Sequence, residues 1–463
     1  MERSGHNTEP LPSDDVSQVP LEIFAVDSSH LDPADELCRK VGGIAREEDS
    51  STIQSQIADF HQARISSRRL QSLIKDKTKV HRHRKQLIVP RPLWPKVTLA
   101  LAELRLMRID DDLYGEAYEF VPTELYARQF DEFVELVELG DIDMIYAFVR
   151  KHPLHIDSLL VLSDFLRMSS ATDAIELTER ALYILEKCTR ATDATGIDLT
   201  LGNLRMPYER FNNRRMHLAL LRYVQFLIKR GCYRTAFEFS KILWSLDSLI
   251  DPLGVRLIVD FLAIKSEQYE WFDIVNDQVQ NEAPWLANWQ FSAALKAFIC
   301  KYESSDDLLQ SAIKDHPWMV PRLAEFCGFR VDDIAWREAF LIPTLPAHDH
   351  VRSLRETISK VYAQRSGPLW KTPNACGWLE KNMGFALSLQ SENANSSMQD
   401  LRPTVIESLG VFRHAIMSDL NNVQVSLPVL ISSGPVHLYD PLPPEQVIMD
   451  EDFSRSTPRC SIQ

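Results

Sequence analysis

The clearest hydrophobic pattern in the chain covers residues 152–186. In its first half apolar residues recur every three or four positions, which predicts an amphipathic helix. A polar break follows, where Ser170 and Asp173 have the spacing of a helix capping box. The second half carries two adjacent apolar stripes, so this second helix is expected to contact neighbours on two sides. The stripes consist of Ile156, Leu159, Leu162 and Leu166 in the first helix, and of Ala174, Leu177, Ala181 and Ile184 beside Ile175, Thr178, Leu182 and Leu185 in the second.

The same helix-pair plan recurs twice downstream. FLIKRGCYRTAFEFSKILWSLDSLIDP places Gly231 in the turn, and PLGVRLIVDFLAIKSEQYEWFDIV repeats the arrangement. Pro252 and Pro317 precede similarly spaced acidic and aromatic residues, with an offset close to two tetratricopeptide periods of about 34 residues. Pairs with two apolar sides are the unit of an α-solenoid. The pattern therefore predicts an all-α protein, an irregular TPR-like α-solenoid with disordered N- and C-terminal tails; an irregular helical bundle is the alternative.

Weaker patterns predict the elements outside these pairs. Helices are expected at 97–107, 123–139, 143–150, 348–362 and 404–420. Polar or Pro-containing loops are expected between 186 and 213 and at PLWKTPNACGW. These elements divide the chain into an acidic disordered tail (1–60), a basic arm (61–96), the α-solenoid (97–345), a C-terminal helical region (346–423) and a Pro-containing tail (424–463).

The composition excludes several classes of protein. The chain has 463 residues, of which only 15 are glycine, and this low content argues against Gly-rich nucleotide-binding loops. Its seven cysteines are scattered and never form C-x-x-C, which is typical of reduced thiols in a cytosolic or nuclear protein. No run of 18 apolar residues occurs, so no membrane span or membrane partner is predicted.

The net charge of −14 conceals a strong asymmetry. Residues 1–60 contain 13 acidic and 4 basic residues, whereas residues 64–96 contain 11 basic residues and one acid, Asp76. The acidic segment has few aromatic residues and is expected to be disordered until about Ile53. A concentrated basic arm therefore precedes an acidic body.

The basic arm is suited to a phosphate backbone, because each neutralised phosphate releases counterions. Such an arm would bind without reading sequence. A solvated helix or a nuclear localisation signal is an equally weighted alternative. Pro90, Pro92 and Pro95 follow directly, so a continuous helix into a DNA-binding dimerisation domain is disfavoured. The predicted RNA- or phosphate-binding residues are Arg68, Arg69, Lys75, Lys77, Lys79, Arg82, Arg84 and Lys85.

Catalytic motifs are absent from the sequence. There is no Walker A loop, G-x-G-x-x-G, H-E-x-x-H or G-x-S-x-G. His152 and His155 lack a further ligand at zinc spacing and are expected to be structural. His348 and His350 are likewise not expected to bind a metal. The sequence therefore predicts a protein that is not an enzyme and has no catalytic residue, cofactor or metal.

Several of these segments resemble one known family. HPLHIDSLLVLSDFLRM followed by AIELTERALYILE is similar to the signature of the family of transcription factor 25 and the ribosome quality control complex subunit 1. FLIKRGCYRTAFEFSKILWSLD, DPLGVRLIVDFLAIKSEQYEWF, LGVFRHAIMSDL and YDPLPP follow in order, and the resemblance spans residues 80–444. The family usually opens with a lysine-rich tail, whereas this N-terminus is acidic. We therefore expect a divergent or truncated member, or a misplaced start.

The resemblance implies a non-enzymatic scaffold subunit of the ribosome quality control complex. Such a subunit acts on stalled nascent chains at the large (60S) ribosomal subunit and supports their ubiquitination and extraction for proteasomal degradation. The implied partners are 60S ribosomal RNA, a listerin-type E3 ubiquitin ligase, the valosin-containing AAA ATPase and ubiquitin chains. The implied location is cytoplasmic and ribosome-associated, with the nucleus as a second compartment. The alternative is a nuclear transcriptional repressor or corepressor that uses the basic segment for DNA binding or import.

Overall fold

The computed structural model describes residues 21–47, 86–97, 104–111, 113–190, 197–329, 331, 349–390, 405–418, 420, 423 and 442. These residues are mostly helical, as the sequence predicts, and they also form one two-stranded sheet. The helices of the first half are α1 (Pro33–Glu47), α2 (Glu124–Leu139), α3 (Ile142–Lys151), α4 (Ile156–Leu166), α5 (Ala171–Arg190), α6 (Arg214–Lys229) and α7 (Tyr233–Leu246).

The second half of the described chain continues with shorter and then longer helices. They are α8 (Val259–Lys265), α9 (Tyr269–Glu282), α10 (Ala287–Ile299), α11 (Ser305–Asp315), α12 (Val320–Cys327), α13 (Asp349–Trp370), α14 (Pro373–Gln390) and α15 (Val405–Met417). The predicted helices at 123–139, 143–150 and 404–420 are confirmed within a few residues, and the helix predicted at 348–362 is confirmed but continues to Trp370. The central pair α4–α5 is confirmed as well, and Ser170 Oγ donates to Asp173 at 2.7 Å in the polar break.

Consecutive helices are neighbours through most of the chain. From α2 to α11 each helix contacts the next one, and α4 also contacts α6, as α8 contacts α10. The order then changes, because α13 packs against α10 and α12, α14 packs against α11, and α15 packs against α13. Buried apolar side chains of these helices form one continuous core.

A β-hairpin replaces the end of the helix predicted at 97–107. Strand β1 (Leu104–Asp111) pairs antiparallel with β2 (Gly115–Pro122). Leu104 and Leu106 are buried while Arg105 between them is exposed, which is the alternation of a half-buried strand. The helix prediction is therefore wrong at 104–107, where a period of two was mistaken for part of a longer apolar run.

Two predicted loops are shorter than expected. α5 continues to Arg190, and the chain that follows Gly202 is largely buried, with Leu204 and Met206 in the core. The Pro- and Trp-containing loop at PLWKTPNACGW is reduced to the break between α13 and α14. Thr372 Oγ1 accepts a hydrogen bond from Ala375 N at 3.3 Å there, so the hydroxyl caps α14.

The expectation of disorder up to Ile53 is wrong for residues 21–47. Two short 3-10 helices, Leu21–Phe24 and Ser28–His30, lead into α1, and this segment packs on α7. The physical reason is that the acidic segment contains a few apolar residues that the body buries. Phe24 is fully buried and Leu37 is 4% exposed. The low average hydrophobicity of the acidic segment did not indicate these local contacts.

Candidate functional site

The predicted phosphate-binding residues themselves lie outside the described residues. All eight of them, from Arg68 to Lys85, fall between residue 48 and residue 85. The structure describes the chain on both sides of this connection. Residues 21–47, here called the first docking segment, precede it, and residues 86–97, the second docking segment, follow it. The candidate site is therefore defined by how these two segments attach to the helical body.

The first docking segment attaches through a buried carboxylate. Glu36 of α1 accepts hydrogen bonds from the backbone N–H groups of Arg234 at 3.1 Å and Thr235 at 2.8 Å. Both groups lie in the first turn of α7, where no partner within the helix exists. Burial alone would raise the pKa of Glu36, but the bond from Thr235 and the ion pair with Lys40 hold this pKa below its ordinary value. A residue about 200 positions away along the chain thus caps α7.

Aromatic and backbone contacts extend this attachment. The ring of Phe24 meets Trp244 edge-on with centroids 5.3 Å apart. Trp271 Nε1 donates to the carbonyl of Ile23 at 2.8 Å, and Lys241 Nζ donates to the carbonyl of Ala25 at 2.6 Å. The first docking segment therefore contacts α7 with both apolar and polar groups, and it reaches α9 through Trp271.

The second docking segment attaches to α5 by its own backbone. Glu186, which is 1% exposed, accepts hydrogen bonds from the N–H groups of Leu87 at 2.9 Å and Ile88 at 3.2 Å. The Leu87 and Ile88 side chains are each 4% exposed. The backbone bends at Leu87 and Ile88, so that two successive N–H groups point to the same carboxylate. The carboxylate fixes the point at which the connection rejoins the body.

A more exposed ion pair lies beside this attachment. Arg91 binds both Glu176 and Glu179 of α5, the latter at 2.7 Å, and Trp94 Nε1 donates to Glu176 at 3.1 Å. Burial raises the pKa of Glu179, although the Arg91 guanidinium acts in the opposite direction. The Arg91 and Glu176 side chains are 41% and 40% exposed, so this pair contributes only modestly to stability.

The charged segment is therefore held at both ends. The chain that precedes it lies on α7, and the chain that follows it lies on α5. The basic arm predicted at 61–96 stays a prediction for residues 61–85, and only its last residues, 86–96, fall in the described chain.

Three of the distant sequence segments behind the family resemblance meet at α15. Gly410 approaches the turn after α7 so closely that a Cβ atom would lie 2.4 Å from the carbonyl oxygen of Asp251. Arg413 Nε donates to the carbonyl of Leu442 at 2.8 Å, and its Nη1 donates to the carbonyl of Pro252 at 3.2 Å. DPLG, LGVFRH and YDPLPP thus share one contact, although the chain separates them widely.

His414 completes the contact as a neutral ring. Arg365 Nη1 donates to its Nε2 at 2.7 Å, so the proton sits on Nδ1 and is donated to the carbonyl of Leu253 at 2.9 Å. Burial and the nearby Arg365 charge lower the pKa of His414 to about 3. This cluster fixes α15 on the body, and its groups are all engaged in structural bonds.

A buried charged cluster that the sequence did not reveal joins α2, α4 and α6. Arg215 Nε donates to both carboxylate oxygens of Asp157, at 2.7 and 2.9 Å, and the Tyr126 hydroxyl donates to Asp157 at 2.7 Å. Burial alone would raise the pKa of Asp157, but Arg215 holds it below its ordinary value. His155 accepts from Ser158 N and caps α4, which confirms its predicted structural role. Helical periodicity in the sequence could not assign Arg215 to this buried cluster.

The described part of the chain has neither a metal-ligand cluster nor a membrane-spanning helix. Its His, Cys, Asp and Glu side chains form no group of three that could hold a metal ion. None of its helices is long and apolar enough to cross a membrane. The described residues provide attachment points on both sides of the charged connection.

Comparisons with known proteins give one family match and several named relatives. The family model described as “Transcriptional repressor TCF25” matches residues 118–444. The human “Ribosome quality control complex subunit TCF25” is 30% identical over 382 residues, which cover 78% of this chain and 55% of the human one. The Schizosaccharomyces pombe “Ribosome quality control complex subunit 1” is 25% identical over 388 residues, covering 82% of this chain and 55% of its own.

A third relative carries a different name. The Ampulloclitocybe clavipes protein “Probable transcription factor claV” is 28% identical over 354 residues, covering 69% of this chain and 44% of its own. This chain thus spans about half the length of the curated relatives that it matches. No solved structure matches it.

Proposed function

Because this chain belongs to the Tcf25 family, we propose that it is a non-enzymatic scaffold subunit of the ribosome quality control complex. In this role it acts on stalled nascent chains at the 60S subunit and supports their ubiquitination and extraction for proteasomal degradation. The observation that carries the proposal is the family match over residues 118–444, together with relatives named as subunits of that complex.

The proposed mechanism is to hold partners together. A listerin-type ubiquitin ligase, ubiquitin chains and the valosin-containing AAA ATPase bind the same scaffold as the ribosome, which raises their effective concentration at the nascent chain. The proposed location is cytoplasmic, on ribosomes, with the nucleus as a second compartment.

The proposed architecture for this task is an irregular TPR-like solenoid. The neighbour contacts from α2 to α11, with further contacts between α4 and α6 and between α8 and α10, support it. A row of helices in which each contacts its nearest neighbours exposes long surfaces to several partners at once.

The basic arm is the proposed ribosome contact. In the sequence its charges lie between the two docking segments, one of which contacts α7 and the other α5. Ribosomal RNA is the target in this proposal, because phosphate neutralisation needs no base sequence and the family members are named for a ribosomal complex.

Co-sedimentation with purified 60S particles tests the ribosome contact. The variant replaces Lys75, Lys77, Lys79, Arg82, Arg84 and Lys85 with Gln, and the salt concentration is varied. Neutralising six phosphate contacts predicts loss of roughly 10³-fold or more in affinity between about 50 and 200 mM salt for the wild type, and a flatter dependence for the variant.

A matched control separates a local effect from total charge. It replaces an equal number of exposed basic residues on the described body with Gln: Arg105, Arg128, Arg150, Lys301, Lys314 and Lys381. Equal binding by both variants, or failure of the wild type to sediment with 60S particles at physiological salt, contradicts the proposed role of the arm.

A nuclear transcriptional repressor is the second candidate function. The description of the family model and the name of the A. clavipes relative favour it. Fractionation of cells that express a tagged chain distinguishes the two. Recovery with ribosomes supports quality control, and recovery with chromatin supports the repressor.

A further inference from the structure

Two cysteines from different helices lie side by side at the junction of α12, α13 and α14. Cys327 is the last residue of α12, and Cys376 lies in the first turn of α14. The Cys376 thiol donates to the carbonyl of Trp370 at 3.3 Å and lies 4.0 Å from the carbonyl oxygen of Cys327. The two thiols also make a side-chain hydrogen bond with each other. Both residues are partly exposed, so a small solute reaches them.

The surroundings of the two thiols differ. Burial and the contact with Cys376 raise the pKa of Cys327 to about 12, although the charge of Lys371 acts in the opposite direction. Cys327 therefore remains a thiol at neutral pH and can donate its proton toward its neighbour. Cys376 lies near the N-terminus of the 18-residue helix α14. Because Cys327 is held as a thiol, we assign the first attack to Cys376.

We propose that Cys327 and Cys376 form a reversible intramolecular disulfide when the protein meets a peroxide. The Cys376 thiolate attacks one peroxide oxygen and breaks the O–O bond, which gives a sulfenic acid and, after protonation, water. The Cys327 sulfur then attacks the sulfenic sulfur, the S–S bond forms, and the hydroxide leaves as water with the Cys327 proton. Two thiols lose two electrons in total, and the peroxide is reduced to two waters.

The disulfide would join the end of α12 to the start of α14. Between these two points lies α13, which packs closely on the same place, since a Cβ atom at Gly367 would lie 2.4 Å from the ring of Phe326. The bond therefore brackets the helix from which Arg365 reaches His414 of α15. Reduction by a dithiol restores the two thiols by exchange.

The test uses the full chain, first reduced and then exposed to hydrogen peroxide. Free thiols are blocked with an alkylating reagent, and the chain is digested without reductant for mass spectrometry. We expect a cross-linked peptide that contains Cys327 and Cys376, and we expect Cys300, a partly exposed cysteine directly after α10, to remain alkylated. Treatment with a dithiol should remove the cross-link.

Three serine variants fix the order of events. Cys376→Ser should abolish oxidation at both positions, whereas Cys327→Ser should leave Cys376 as a sulfenic acid that dimedone traps. Cys300→Ser should leave the yield of the cross-link unchanged. Because serine variants can lose stability, their melting temperatures are compared, and the wild-type cross-link stands as an independent measurement. Absence of that cross-link, or oxidation of Cys300 as fast as the pair, overturns the proposal.

Discussion

The two docking segments use the same chemistry with the roles exchanged. In the first segment, a glutamate of the docked chain, Glu36, accepts two successive N–H groups of a body helix. In the second, a glutamate of the body, Glu186, accepts two successive N–H groups of the docked chain. One attachment therefore depends on a side chain of the segment and on the helix that presents it. The other receives its carboxylate from the body and its N–H groups from the segment backbone, with the buried Leu87 and Ile88 side chains beside them.

The largest expected effect on stability comes from the apolar part of the first attachment and not from its polar part. Phe24→Ala removes a fully buried ring from its contact with Trp244. We expect the free energy of unfolding to fall by about 3–5 kcal/mol, or by the whole docking energy of the segment if that is smaller. Thermal and urea unfolding measure the change. Leu93→Ala is the control in the second segment, since Leu93 is 96% exposed and its loss should be nearly neutral.

Removal of the body carboxylate should release the second segment. Glu186→Ala leaves the N–H groups of Leu87 and Ile88 without their buried acceptor, at a cost of about 2–3 kcal/mol. Hydrogen exchange at these two amides should accelerate by roughly 30- to 150-fold. Glu176→Ala removes a partly exposed partner of Arg91 and should change the exchange only a few-fold. Equal effects of the two substitutions would show that Glu186 does not dominate this attachment.

Removal of the segment carboxylate should uncap α7. Glu36→Ala takes the acceptor from Arg234 N and Thr235 N, and a lost helix cap costs about 1–2 kcal/mol. Faster exchange is expected at these two amides and not at Leu87 or Ile88. Glu22→Ala, an exposed acid of the same segment, is the control. Acceleration at both attachments in Glu36→Ala would mean that the two segments dock cooperatively.

The smallest expected effect is a difference in pH dependence. The pKa of Glu36 is lowered, so its contribution is fully present above about pH 4.5 and is lost as the pH falls below that value. The pKa of Glu179 is raised, so its contribution is fully present below about pH 4.5 and is lost as the pH rises through the raised value. Acidification from pH 7 toward 4.5 should therefore strengthen only the second attachment. Protection factors, corrected for intrinsic exchange, measure this, and parallel changes would contradict it.

Local periodicity was sufficient for most of the body. α2 and the pair α4–α5 follow from apolar spacing, because each helix presents a continuous face to its neighbours. The hairpin at 104–122 was missed, since Leu104 and Leu106 continue an apolar run whose change of period covers only a few residues. The sequence predicts that each helix contacts the next one. It does not predict that α13, α14 and α15 pack on earlier helices, because those contacts join residues that are far apart in the chain.

The sequence predicts the charge of the candidate site but not the contacts by which the docking segments attach to the body. The basic residues are visible in the sequence, and they stay a prediction. In the sequence Glu36 cannot be distinguished from the other acidic residues of its polar segment. Its role as the cap of α7 is evident only from the structure, where it accepts the free N–H groups at the start of that helix. A usable signal existed in the second segment, where Leu87, Ile88 and Trp94 are large apolar residues in a Pro-rich stretch that cannot be helical. Such residues need a surface to cover them.

Because the charged connection is attached to the body at both ends, the distance that it can reach from the body is limited. The connection from residue 48 to residue 85 is roughly 40 residues long, and its midpoint cannot extend beyond about 20 residues of stretched chain, or roughly 65–70 Å, from the nearer attachment. Any surface that the charged residues touch must therefore come within that radius of the body. A partner that binds the charged residues must therefore lie within this maximum distance of the body, whatever path the connection takes.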